Sequence, residues 1–191
     1  PYTLLAKSNV AAMLTELGQL ERAETMHREI LQSRRQILGP GHPQTMESLQ
    51  NLLEVLRKDV NHDKDVKLLQ QEYLAYLQRA ATNPEAGLRI KDQYAWELLV
   101  AIPAELRDPV KARQIIEEVL QESDERLPQY LDTYAKACFQ IGDIARAIEL
   151  EREAIEKAPA ESTLRIKFAR RLKKYEESAI VQKAIDGDPS D

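Results

Sequence analysis

Apolar side chains recur along most of this chain three or four residues apart, which is the period of an amphipathic helix. One example is the series Leu20, Ala23 and Ile30, which marks one face of a helix. Such series follow one another with short breaks at glycine or proline, so the pattern predicts an all-α fold. The predicted helices lie near residues 2–17, 20–37, 43–59, 63–81, 85–102, 109–123, 128–141, 143–158 and 162–184.

The first half of the chain contains an internal repeat with a period of 42 residues. Segments 1–14 and 43–56 align without gaps and read PYTLLAKSNVAAML and PQTMESLQNLLEVL. Asn9 thereby meets Asn51, and most apolar positions of one copy meet apolar positions of the other. We interpret the two segments as two copies of one helix, because a repeated unit keeps its buried positions.

Glycines mark points where helices end. Gly18 and Gly142 each end one, since glycine accepts the left-handed conformation of a helix cap. Five residues after each glycine comes a small alanine, Ala23 or Ala147, which lets the following helix pack closely against the one before it. The buried seam of the later helix continues at Glu151.

The segment 38–45, LGPGHPQT, has the composition of a phosphate-binding loop, a metal-binding corner or a turn. A phosphate-binding loop needs a Gly-Lys-Ser/Thr sequence after a strand, and the segment has neither feature. Gly39 instead ends a long helix, and Pro43 begins the next one, where its missing N–H costs nothing. We therefore interpret the segment as a turn, with His42 as a turn or capping residue.

These motifs resemble the tetratricopeptide repeat, and the 42-residue form is similar to the long repeats of kinesin light chains. The resemblance implies a right-handed superhelical array of antiparallel helix pairs, a tetratricopeptide-repeat solenoid with a concave groove and a C-terminal capping helix. Residues 1–81 would form two long units, 82–160 two further units, and 161–191 the capping helix with a short polar tail. Val60 replaces the glycine expected in the second unit.

The resemblance also implies which side chains line the groove. Asn9 and Asn51 match the asparagine that kinesin-light-chain repeats use against a bound peptide backbone, and a carboxamide suits this because it donates and accepts hydrogen bonds. An alternative is that both asparagines bridge neighbouring helices. Lys58 and Lys136 would attract acidic side chains. The candidate groove residues are Asn9, Glu16, Asn51, Lys58, Thr133 and Lys136.

The last predicted helix is basic and amphipathic. Six cations and no acidic residue lie between Leu164 and Tyr175, beside an apolar stripe at spacings of four and three. Two interpretations remain open, a capping helix with a solvated back and a binding surface for an anionic partner. The candidate anion-binding residues are Arg165, Arg170, Arg171, Lys173 and Lys174, and Lys167 is the sixth cation.

Composition restricts the remaining function classes. The formal net charge of −5 argues against nucleic acid as a partner. The longest apolar run, residues 98–104, is too short to span a bilayer, which argues against a membrane. The single Cys138 excludes a disulfide framework within the chain and suits a reducing compartment, so we expect a cytoplasmic location.

The sequence shows no constellation that indicates catalysis. His27, His42 and His62 lie far apart and lack a metal-binding motif, and His27 occupies a core position of the repeat. We expect Cys138 to be a buried, inert thiol and Trp96 to be a core residue of a repeat. The carboxylates alternate with lysine and arginine, which is typical of solvated helix faces. We therefore expect no enzyme activity, no cofactor, no metal and no small-molecule substrate.

The leading hypothesis is a non-catalytic scaffold that binds a peptide segment of a partner protein in its groove. The segment 81–175 resembles C-terminal repeat regions of large bacterial proteins, some with a Ser/Thr kinase domain, so a regulatory or docking arm of a kinase is an alternative. Anion binding by the basic helix is another. Because Pro1 already stands at the first position of a repeat, we expect an upstream repeat to be missing. Leu4, Leu5 and Val10 would then be partly exposed or buried by self-association.

Overall fold

A computed structural model of the chain describes residues 2–58 and 66–186, and within these ranges the regular structure is helical, with no strand. The predicted all-α class is confirmed. The helices are α1 (Tyr2–Glu16), α2 (Leu20–Leu38), α3 (Pro43–Lys58), α4 (Val66–Ala81), α5 (Leu88–Val100), α6 (Pro109–Glu122), α7 (Pro128–Gln140), α8 (Ile144–Lys157) and α9 (Thr163–Asp186), with a 3₁₀ turn at Ala104–Leu106.

Helix α5 is shorter than the sequence predicted. A turn precedes it, in which the Asn83 side chain accepts a hydrogen bond from the Glu85 amide at 3.0 Å and the Asn83 carbonyl accepts from the Ala86 amide at 2.8 Å. These bonds hold residues 83–86 outside the helical ladder, because an asparagine side chain competes with the helix for backbone groups. The predicted helix start at residue 63 and the substitution at Val60 lie outside the described residues.

The turns follow the helix-end rules that the sequence indicated. Gly18 and Gly142 have φ of 72° and 90°, in the left-handed region that side-chain-bearing residues avoid. Gly39 also has φ of 90°. His42 is a capping residue, since its Nδ1 accepts a hydrogen bond from the Gln44 amide at 3.2 Å. The segment 38–45 is therefore a turn, as predicted.

The chain divides into two compact units, of which unit 1 comprises Pro1–Arg79 and Ile102–Leu106. Helix α2 packs against both α1 and α3. Leucines on two sides of α3 are buried, and each contributes about 1.5–3 kcal/mol by leaving water. The buried leucines of α3 are Leu49, Leu52, Leu53 and Leu56.

Unit 2 comprises Ala80–Ala101 and Arg107–Asp191. Here α5 packs against α6 and α7, α7 packs against α8, and α8 packs against α9. The core between α7, α8 and α9 contains Leu131, Leu150, Phe168 and Tyr175. Phe168 and Tyr175 are each 2% exposed, so the apolar stripe predicted for the last helix is its buried side, although Leu164 at the start of the stripe is 39% exposed.

Candidate functional site

The two asparagines singled out by the repeat lie at equivalent positions of α1 and α3 in unit 1. Asn9 is exposed and Asn51 is half-buried. Within residues 2–58 and 66–186 neither side-chain amide makes a hydrogen bond. The alternative that these amides bridge neighbouring helices therefore has no hydrogen bond to support it in the described part of the chain.

The charged candidates of unit 1 are Glu16 and Lys58. Glu16 is exposed at the end of α1. The Lys58 ammonium lies 3.6 Å from the Glu54 carboxylate, one turn earlier on α3. An exposed pair of this kind contributes only about 0.3–0.5 kcal/mol, so an acidic ligand can compete with Glu54 for Lys58 at low cost.

Thr133 is buried, whereas a groove residue is expected to be exposed. It is 2% exposed, and its hydroxyl donates to the Asp92 carboxylate at 2.7 Å. This bond joins α7 to α5 inside unit 2. Burial raises the pKa of Asp92 to about 6, although the Thr133 bond acts in the opposite direction. Thr133 therefore positions two helices, and we leave it out of the proposed binding surface.

The cations of α9 divide into two groups according to the side of the helix they occupy. Arg170 and Lys173 are exposed, and the Lys173 side chain is 79% accessible. Arg165 donates to the Ala158 carbonyl at 3.5 Å, near the start of α9. Arg171 and Lys174, by contrast, lie beside the aromatic side chains of α5 and α7. The basic face is thus not one continuous surface.

Arg171, Lys174 and the groove candidate Lys136 meet around two aromatic rings in unit 2. The Lys136 ammonium lies 5.3 Å and the Arg171 guanidinium 5.1 Å from the centroid of the Trp96 ring. Lys174 lies 5.7 Å from the centroid of the Phe139 ring. Cations in such positions are attracted by the negative face of the ring. We call Arg107, Lys136, Arg171 and Lys174, with Trp96 and Phe139, the Lys136 cluster.

The positive charges in this cluster are only partly compensated. Arg171 forms an ion pair with Asp132, a buried carboxylate of α7. Lys136 has a lowered pKa, first because it is desolvated and then because Lys174 and Arg107 repel its proton. Lys174 and Arg107 therefore add positive charge near Lys136, and an added anion would be attracted there.

Glu151 of α8 is a buried carboxylate in the same unit. It is 0% exposed, and neither of its carboxylate oxygens has a hydrogen-bond partner among the described residues. Burial raises the pKa of Glu151 to about 8, although Lys136 acts in the opposite direction. The hydroxyl of Tyr175 is likewise buried without a partner in the described part of the chain, and its pKa is raised by burial and by Glu151.

The sequence indicated several of these residues one by one, but it did not predict that they lie together in unit 2. Trp96 was expected only in a core role, and Arg107 was not singled out. Glu151 was predicted at a seam position, and its burial agrees with that prediction. A signal for Arg171 was present, since it lies three residues after Phe168 and four before Tyr175, on the buried side of the helix.

Other chemistry-bearing side chains have structural surroundings. Cys138 is fully buried, and desolvation raises the pKa of its thiol to about 11, which keeps it protonated and unreactive. His27 is 3% exposed, and burial lowers its pKa. No group of three potential metal ligands occurs in residues 2–58 and 66–186. His62 lies outside these ranges. Among the helices of the described residues, none could span a membrane.

The helix pairs, the left-handed glycine turns and the buried small alanines define a helical-repeat protein. Residues 3–44 match the family model of the tetratricopeptide repeat, so the first unit predicted from the sequence is a repeat of this family. Among curated protein sequences, none matches this chain.

Solved structures show the same fold. The nearly identical TPR-like repeats of a Podosopora anserina protein described as a kinesin light chain match at 16% identity, with a TM-score of 0.59. The match covers 96% of this chain and 90% of that one. A single-substitution variant of that protein matches over the same shares, at 16% identity and a TM-score of 0.60. The predicted resemblance to kinesin-light-chain-type repeats is confirmed.

Proposed function

We propose that this chain is a non-catalytic scaffold that binds an extended segment of a partner protein. The observation that supports the proposal is the position and the hydrogen bonding of Asn9 and Asn51. They occupy equivalent places on α1 and α3, and their amides make no hydrogen bond within the described residues. An extended peptide presents a regular series of N–H and C=O groups, which carboxamides at repeated positions can bind in pairs.

The buried polar groups of unit 1 show by contrast that its structural hydrogen bonds are made elsewhere. Arg34 donates to the Gln44 carbonyl at 2.6 Å and to the Ser48 hydroxyl at 2.8 Å, and so connects α2 to α3. The hydrogen bonds between α2 and α3 therefore involve neither Asn9 nor Asn51 among the described residues. This supports the use of both amides by a ligand.

The double substitution Asn9→Ala with Asn51→Ala tests this proposal. A peptide would first be selected from a random library with the full chain and then titrated calorimetrically. Each lost hydrogen bond costs about 0.5–1.5 kcal/mol, so the affinity should fall by roughly tenfold or somewhat more. The matched control is Gln36→Ala, which removes an exposed carboxamide from α2 and should leave the affinity unchanged.

A melting curve of the double variant separates binding from structure. An unchanged melting temperature with weaker binding supports the proposal. Unchanged affinity with a lowered melting temperature would show that the two asparagines serve the fold and would remove them from the site. The bacterial origin, the cytoplasmic location and the link to a kinase stay predictions from the sequence.

A further inference from the structure

We propose that the Lys136 cluster is a binding subsite for carboxylate side chains of an acidic partner segment, with Lys136 and Lys174 as direct donors and the buried Glu151 as the charge that adjusts their attraction. This inference rests on the proposed function, because it assigns a chemistry to part of the partner segment. It concerns unit 2, whereas the asparagines lie in unit 1.

Among the described residues, neither the Lys136 nor the Lys174 ammonium has an acceptor. Each lies against an aromatic ring, Lys136 against Trp96 and Lys174 against Phe139. Neither ammonium makes a hydrogen bond or ion pair within the described residues. Lys91, on α5 of the same unit, does have a carboxylate partner. It donates to both carboxylate oxygens of Glu122, at 2.8 and 2.7 Å.

Contacts between α7 and α9 hold the cluster together before any ligand arrives. Phe139 of α7 and Tyr175 of α9 stack with their centroids 4.4 Å apart. The ion pair of Arg171 with Asp132 joins the same two helices. A ligand carboxylate would therefore meet cations whose positions are already set, and little ordering entropy would oppose binding.

The carboxylate of Glu151 is buried and acts on Lys136. A fully buried carboxylate with no hydrogen-bond partner is unfavourable, and the charge of Lys136 compensates it in part. When Glu151 is protonated, Lys136 can direct its whole charge at a ligand. When Glu151 is ionised, it competes with the ligand for that charge.

The charges around the cluster favour a protein segment over a dense polyanion. Asp132 and Glu151 lie within the site, and residues 81–160 contain sixteen acidic and ten basic side chains. A continuous chain of phosphates would be repelled by this excess of acidic side chains. A segment with a few spaced carboxylates can reach the two lysines and avoid the acidic side chains.

The groups that face Glu151 determine the pH response. Lys136 faces it from α7 and Tyr175 from α9, with Cys138 and Arg171 beside Tyr175. Lys174 and Arg107 act on Lys136. A rise in pH through about 8 ionises Glu151, which then competes with a ligand for the charge of Lys136. The lowered pKa of Lys136 acts in the same direction. Affinity for a carboxylate ligand should therefore fall as the pH rises through about 8.

The test measures binding of a short polyglutamate peptide to the full chain at physiological salt. The fluorescence of Trp96, the single tryptophan, reports occupancy because the ring contacts two of the cations. Lys136→Gln with Lys174→Gln should weaken binding by about tenfold or more for each lysine, as expected for hydrogen bonds to charged groups. Lys167→Gln with Lys173→Gln removes the same charge from exposed positions and should change the affinity by less than about threefold, because salt screens distant charges.

Three outcomes separate the inference from its alternatives. Equal losses in the two double variants would overturn the subsite and leave only general charge attraction. Tighter binding of polyphosphate or phosphatidylserine vesicles than of polyglutamate would overturn the assignment to a protein segment. Lys136→Arg should retain most of the binding, and a complete loss there would contradict a charge role. Lys174 is exposed, so Lys174→Gln alone keeps the test valid if the double variant is unstable.

Glu151→Gln tests the adjusting role. Between about pH 6 and about pH 9, the natural chain should lose affinity for polyglutamate, and the variant should lose less because it lacks the Glu151 carboxylate, which ionises in this range. An identical loss in both proteins would overturn the role of Glu151. Neutral peptides that require Asn9 and Asn51 would still bind every cluster variant if only this inference failed, which distinguishes its failure from that of the proposed function.

Discussion

Helices α1 and α3 are two copies of one sequence pattern, yet their corresponding side chains differ in exposure. Val10 of α1 is 46% exposed, whereas Leu52, 42 residues later, is fully buried. Met13 is 64% exposed, whereas its counterpart Val55 is 1% exposed. The apolar pattern therefore identifies a face that can be buried, and the neighbouring helix decides whether it is.

The neighbour that buries this face of α3 is α2. Val55 packs with Ala23 of α2 and with Leu14 of α1, and Arg34 of α2 holds the Ser48 hydroxyl. The corresponding positions of α1, Val10 and Met13, are exposed. Leu5 is exposed as well, like its counterpart Glu47 on α3. This agrees with the exposure that the sequence predicted for Leu5 and Val10. In a repeat array, each unit completes the core of the next one.

The largest expected difference is between truncations at corresponding core positions. Leu52→Ala should lower the free energy of unfolding by about 2–5 kcal/mol, because it leaves a cavity in a filled core. Val10→Ala should change it by less than about 0.5 kcal/mol, as is usual at an exposed site. Urea denaturation at low protein concentration measures both. A comparable loss at Val10 would mean that the α1 face is covered in solution.

A smaller effect is expected from the polar contact that accompanies the buried face. Arg34→Ala should cost about 1–3 kcal/mol, since the Gln44 carbonyl and the Ser48 hydroxyl lose a shared donor. The control Arg22→Ala removes an exposed arginine from the same helix and should be nearly neutral. Thermal melts of the two variants provide the comparison. Equal melting temperatures would show that Arg34 does not stabilise the α2–α3 contact.

The exposed face of α1 should also promote self-association at high concentration. Met13→Gln with Leu17→Gln should weaken a dimer by roughly tenfold, because two apolar side chains that are 64% and 68% exposed would no longer be buried in it. Sedimentation equilibrium measures the effect, and Ile180→Gln on α9 is a control of similar exposure. A monomeric natural chain at all concentrations would exclude this use of the face.

The smallest expected effect concerns the two related glycine turns. Asp143 after Gly142 caps α8, since its carboxylate accepts a hydrogen bond from the Arg146 amide at 3.3 Å. Gln19 after Gly18 occupies the same place before α2 and makes no side-chain cap. Gln19→Asp should therefore stabilise unit 1 by about 0.5–1 kcal/mol, and Asp143→Ala should destabilise unit 2 by about 1 kcal/mol. If Gln19→Asp has no effect, the two turns are not equivalent in solution.

The sequence predicted the helices closely because local rules set their limits. Gly18 and Gly142 have the positive φ that a helix end requires, and the period of apolar residues marks each buried face. The start of α5 was wrong by three residues because the Asn83 turn competes with the helix. These features depend on neighbours in sequence, which is why one chain was enough to find them.

The candidate site of unit 2 depends instead on side chains from different helices. Trp96, Lys136 and Arg171 belong to α5, α7 and α9, and a helical pattern does not tell which positions of three helices meet. The sequence grouped Arg171 with Arg170 and Lys173 because all three are neighbours on one helix. Packing separates them, since Arg171 lies beside a buried carboxylate and the others lie in water.

The rate at which the buried Cys138 thiol is labelled can report transient opening of unit 2. It is the single cysteine, it lies on α7, and it is enclosed by Ala147 and Leu150 of α8. A thiol-specific reagent can react only in the short intervals when these helices separate. The labelling rate in native buffer therefore measures how often the second unit opens, and a bound peptide that bridges α7 and α9 would slow it.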